Sequence, residues 1–419
     1  MRCSAVTVTL CAVCACGERS DPPATEPAIR VENGVTIVEN PGLHLADARA
    51  WSVDAGKAVR IGVVDGPDEY VIGRLAGMLR LPDGNILIAD AMAHELRVFD
   101  ARGRFVRKVG RAGEGPGEYG LLTQILDYAG DSIVVIDNEG SRATVLDPTL
   151  GFVRRYHPRL TETRARQPFT SHQVEGFFAD GRALVSDFSS ACDPRSERSF
   201  CEDSVAFYRT NEEGTTEARF GRFVHSRRQA FRVRPGVSTG WSEPHPQAMW
   251  VVRGDRFYYA DAKRFEVQVY RSDGSLERIV RVAAAAPRYT KKDVWPAAPS
   301  TTGTGEAGRE LRRVMQQAQD NATLPDTFPA FSDLLVDDAG NLWIREYLPP
   351  SKIREVPPRW FVFDAEGRLR RAIRARGLVS RFGLVRRGRP EIGSDYILTS
   401  ARDPDGVESV VLYPLTKRR

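Results

Sequence analysis

RVFDARGRFVRKVGRAGEGPGEY, residues 97–119, opens with two strands and ends in a glycine corner. ELRVFD, residues 95–100, is a short apolar run of strand length. ARG is a turn, and RFVRKV alternates apolar and polar residues as a half-buried strand does. Gly110 to Tyr119, GRAGEGPGEY, then packs glycines around Pro116 and two glutamates. It imitates a phosphate-binding loop. Gly110 and Gly115 have the Walker spacing, but Pro116 stands where the lysine should be, with neither charge nor N–H. The dinucleotide-binding pattern fails as well, because the third glycine position is Glu118. Two carboxylates would repel a phosphate. The stretch reads as a connection between two sheets.

The same order of turn and strands recurs along the chain. LPDGNILIADAMAHELRVFDARGRFVRKVG, residues 81–110, is the clearest copy. Others begin at Ala129, Phe177, Arg253, Val336 and Ser394, which makes six units. Repeats of about 40–50 residues, each built of short antiparallel strands, predict a propeller, here six-bladed and all-β with four-stranded blades. One such sheet cannot bury both faces alone, so each blade needs neighbours. Helix is confined to residues 305–321, where Leu311, Val314, Met315 and Ala318 share one face. That run lies in an insertion over about residues 284–330. VENGVTIVEN, residues 31–40, is expected to close the ring by adding a strand to the blade of residues 394–415.

The N-terminus, MRCSAVTVTLCAVCACGERS, has Arg2 and then an apolar run too short to span a bilayer. It suits a secretory signal over residues 1–16. Val13-Cys14-Ala15-Cys16-Gly17 resembles the bacterial lipobox, which implies lipid on Cys16, a membrane anchor, and a cell-envelope location facing the periplasm or exterior. An ordinary secreted protein cut nearby is the alternative. Residues 17–28 are polar and proline-rich, a tether to the propeller of residues 29–419. Cys192 and Cys201 bracket a polar loop, and an exported chain permits a disulfide there. It would contribute about 2–3 kcal/mol; two free thiols are the alternative.

The net charge of +5 over 419 residues is too small and too dispersed for a nucleic-acid footprint. The histidines show no metal-ligand spacing. Gly236-Val237-Ser238-Thr239-Gly240 matches a nucleophile elbow but has no helix pattern after it. Equivalent strand ends of a propeller converge on one rim. There Asp90, Asp137, Asp187, Asp261 and Glu346 could face a basic ligand or one divalent cation, or could each cap a turn. His94, Arg345 and Tyr347 complete the candidate rim. No catalytic residue and no cofactor are assigned.

RVFDARGRFVRKVGRAGEGPGEY, FPAFSDLLVDDAGNLWIREY and DPDGVESVVLYPL together resemble bacterial six-bladed β-propellers related to NHL repeats. The resemblance covers about residue 31 to the C-terminus. It implies a fold, not an activity. Related propellers include metal-dependent lactonases and lyases, whose ligand sets are not recognisable here. The expected function is an exported, lipid-anchored, monomeric scaffold. It would bind a small molecule, peptide, glycan or envelope protein. A propeller hydrolase or lyase with a cation at the central channel is the runner-up.

Overall fold

The computed structural model describes residues 26–43, 51–137, 142–158, 160–161, 171–189, 198–234, 237–241, 245–284, 287–294, 324–325, 327–374, 389–403 and 405–417, with scattered positions between 305 and 320. Cys16, Cys192 and most of the expected helix at 305–321 lie outside the described residues.

Six antiparallel sheets stand around one axis. The first blade spans Leu75–Val109 and the second Leu122–Asp127 through Phe152–Tyr156. The third begins at Ser171–Phe177, the fourth at Met249–Arg253, the fifth at Phe331–Val336 and the sixth at Glu391–Ile392. Each of these opening strands is innermost. One hydrophobic cluster fills each junction between neighbouring blades, including that between the sixth and the first. The faces a lone sheet would expose are thereby buried. Glycine lets the inner strands crowd the axis: a Cβ on Gly77 would lie 2.6 Å from Ile125 Cγ1 of the next blade.

The turns explain the repeated Asp and Gly of the sequence. Asp100 Oδ1 accepts N–H bonds from Arg102 and Arg104, each at 2.9 Å, and Gly103 takes φ +77°. Asp364 does the same for Glu366 and Arg368, with Gly367 at φ +89°. The third blade departs from the pattern. Its strands Arg198–Thr210 and Thr216–Arg234 overrun the blade, and the latter pairs with a fifth strand, Val237–Trp241.

Ring closure differs from the sequence expectation. Val35–Asn40 does not join the last blade. It runs parallel to Leu276–Val282 of the fourth, where Ala28–Glu32 adds one strand more. Asn40 holds that position from the fifth-blade side: its amide donates to Gly367 O and accepts from Leu369 N. The last blade is closed instead by Trp51–Val53 and Val59–Ile61, both antiparallel to Glu408–Lys417. The reason is packing. Ile61 is buried in the cluster between the sixth and first blades, while Ile37 and Val38 of Val35–Asn40 are buried beside the outer strand of the fourth. Lys417 then reaches Asp337 of the fifth blade at 3.1 Å and lies over the Trp51 ring.

The corner Gly110 to Tyr119 joins the first blade to the second. Arg111–Ala112 pairs with Glu118–Tyr119. Glu118 turns inward on its own loop, accepting from Gly115 N at 2.8 Å and Arg111 Nε at 2.8 Å. Tyr119 is buried in the cluster between those blades. Arg155 fastens the loop by donating to the carbonyls of Glu114, Gly115 and Glu118. Lys291–Val294 and Pro350–Glu355 are short helices, the described positions between 306 and 320 are helical as expected, and no helix of the described residues is long and apolar enough to cross a membrane.

Candidate functional site

The candidate rim residues lie where the second strand of each blade ends. Register places that end opposite the start of the inner strand: Asp90 pairs with Leu75, Asp137 with Leu122, Asp187 with His172 and Glu346 with Phe331. Their carboxylates are engaged within the fold. Asp90, buried, accepts from the N–H groups of Gly73, Arg74, Met92 and Ala93 and faces Arg97 at 3.4 Å. Asp137, also buried, accepts from Gly120 N and from Arg142. Glu346 holds Arg359, Asp261 accepts from Lys263 N, and Asp187 lies 3.4 Å from both His172 and Arg222. His94 Nδ1 is 2.6 Å from Gly120 O, which ties the first blade to the second. Arg345 is buried beside Ser332 O, and Tyr347 packs against Tyr289 and Phe328. These groups hold neighbouring segments together.

The cavity is at the other end of the axis. It measures about 750 Å³ and is lined by the closing residues of all six inner strands. That volume suits a small organic ligand, for which pockets of about 300–1,000 Å³ are usual. Its charged lining includes Arg80, Asp127, Arg253, Asp338, Arg389 and Glu391. Arg253 of the fourth blade donates from Nη1 to Asp127 of the second at 2.9 Å, and from Nη2 to Asp338 of the fifth. In a ring of six, the second and fifth blades stand opposite, so one guanidinium links the two sides of the channel. All three side chains keep substantial exposure, 35% for Arg253, 57% for Asp127 and 41% for Asp338. Bridges of that exposure contribute about 0–1 kcal/mol each.

Beside this bridge sits Glu391. It accepts from the Tyr396 hydroxyl and from Arg80 N at 2.8 Å. The Arg80 guanidinium lies 4.3 Å over the Tyr396 ring. Burial, reinforced by the Asp127 charge, pushes the Glu391 carboxyl up to about 7. Burial raises Asp338 too, against the opposing pull of Arg253. Arg389 donates to Leu334 O at 2.8 Å and so braces the sixth blade on the fifth. No group of three or more His, Cys, Asp or Glu among the described residues is arranged to hold a metal ion.

Sequence reasoning missed this set, although it had a signal. Arg80 and Arg253 stand just before Asp-Gly or Gly-Asp turns, in LRLPDG and VVRGDR, and Asp338 within DDAG. A charged residue where an otherwise apolar inner strand ends marks the mouth of the channel.

A family model, DUF5128, described as a 6-bladed β-propeller, matches residues 65–147. The chain is a six-bladed β-propeller. The match spans the first blade, the glycine corner and the first three strands of the second blade. No curated protein matches the sequence. Among solved structures, a Bacteroides fragilis protein described as exported is 13% identical, with 91% of this chain and 100% of that chain covered and a TM-score of 0.46. A DUF4221 member from Bacteroides vulgatus is 10% identical, with 89% and 100% covered and a TM-score of 0.44. A gluconolactonase from Xanthomonas campestris is 12% identical, with 81% and 86% covered and a TM-score of 0.36. At these identities the likeness concerns the propeller fold alone.

Proposed function

We propose that this propeller is an exported, lipid-anchored binding protein whose ligand enters the central channel. One observation carries the reading: a cavity of about 750 Å³, built by all six inner strands, with charged side chains from five blades at its wall. At the opposite rim Asp90, Asp137 and Glu346 are held by internal contacts, which supports assigning ligand contact to Arg80, Asp127, Arg253, Asp338 and Glu391. The leader ending in Cys16 supports export and anchoring, as does the kinship with NHL-related lipoproteins suggested by the Gly-Pro-Gly-Glu corner.

The test is a binding screen of the purified mature protein against amino acids, short peptides, sugars and organic acids. Thermal shift serves as readout, with an Ala129→Trp variant that fills the cavity wall. Hits lost in that variant are the expected result. Hits that persist would remove the channel from the proposal. Elemental analysis of the same sample addresses the hydrolase alternative, which a tightly held divalent ion would favour. For the anchor, Cys16→Ser should abolish incorporation of labelled lipid.

A further inference from the structure

Building on the channel-binding reading, we infer that the channel recognises a ligand bearing a guanidinium group, which takes the place of Arg253 between Asp127 and Asp338. The site already shows how such a group is held. Two carboxylates from opposite blades each accept from a different terminal nitrogen of a single guanidinium. A planar fork with separated donors meets both at once, whereas an ammonium presents its donors from one point.

The resident cation is poorly secured. Arg253 is the last residue of the inner strand of the fourth blade, next to the turn at Gly254, and its bridge is partly open to solvent. Ion pairs of that exposure are weak and exchange readily. A ligand guanidinium that enters the cavity meets the same two acceptors, and Arg253 can swing towards solvent.

The charge balance of the wall favours a cation over an anion. Asp127, Asp338 and Glu391 come from three blades; Arg253 bonds the first two and feels the charge of the third. The other two arginines are drawn elsewhere. Arg389 is bonded to the Leu334 carbonyl, and Arg80 stacks on Tyr396 and faces Asp395 at 3.6 Å. Glu391 is raised partly by the charge of Asp127 and Asp338, which is what a local excess of negative potential does. An added cation relieves it, and an added anion would worsen it.

The probes are agmatine, for an alkylguanidinium, and cadaverine, for an alkylammonium, with acetate, phosphate and glucose beside them. Each is titrated calorimetrically into the mature protein at low salt. Agmatine should bind and cadaverine should bind more weakly. Asp127→Asn with Asp338→Asn should weaken agmatine by about tenfold or more. Arg253→Ala should tighten it, a gain that loss of folding cannot mimic. The inference is overturned if cadaverine matches agmatine, if Arg253→Ala leaves agmatine unchanged or weaker, or if agmatine does not bind at millimolar concentration. Binding of phosphate, acetate or glucose that Ala129→Trp blocks, without agmatine binding, would overturn the ligand class and leave the channel reading standing. Agmatine binding that survives Ala129→Trp would bring down both.

Discussion

The ring of Tyr119 occupies the space where a side chain on Gly110 would project, so these two residues meet across the corner between the first and second blades. Gly110 also takes φ +79°, a conformation that a β-carbon disfavours. Gly110→Ala is therefore strained twice, by backbone and by collision. It should cost about 1–3 kcal/mol in denaturant unfolding, with Gly117→Ala a milder control, since it has positive φ but open space around it. Equal effects would place the strain in the backbone alone.

Ring closure is testable by comparing two strands. Ile61 is buried between the sixth and first blades, so Ile61→Ala should cost about 2–5 kcal/mol. Removal of residues 26–32 takes away only an exposed outer strand of the fourth blade and should leave a cooperative transition. Loss of residues 51–61 should broaden or abolish it, as read by calorimetry.

The buried pair Asp137–Arg142 makes a third case. Asp137→Ala leaves an Arg142 that is 3% exposed with Glu114, itself exposed, as its remaining carboxylate partner, and Gly120 N without its acceptor. A loss of about 3–5 kcal/mol is expected. Replacing Asp127, whose partner is half open to solvent, should cost about 1 kcal/mol or less. Similar losses at the two sites would refute this ranking.

Glu391 gives stability a pH dependence of defined sign. Its folded-state pKa lies above the ordinary glutamate value of about 4.5, so its favourable contribution is complete below about 4.5 and is lost as pH rises through about 7. Asp127, Asp338, Arg80 and Tyr396 surround it. Between pH 5 and pH 8 the native protein should lose stability of the order of 2 kcal/mol through this group. Glu391→Gln should flatten that slope in urea unfolding. An unchanged slope would show that Glu391 titrates normally.

Strand order within the blades was legible in the sequence because it is local. Asp100, Gly103 and the alternation of Phe105–Val109 act within a few residues of each other, and the fold repeats that arrangement. The corner was legible for the same reason, since Glu118 bonds its own loop. The channel was not. Asp127, Arg253, Asp338 and Glu391 are widely separated in the chain and meet only because four blades end at one mouth.

The blade, its turns and their sixfold repetition are written in the chain locally, since each follows from side-chain alternation and from residues that can bond their own backbone. The tertiary structure decided which N-terminal strand closes the ring. Both Val35–Asn40 and Val59–Ile61 can pair with an outer strand, and the choice rests on which apolar side chains find a buried seat between blades. It also decided which charges face one another across the axis. Electrostatic partners are chosen by distance in space, and in a closed ring the opposite blade lies far away in sequence.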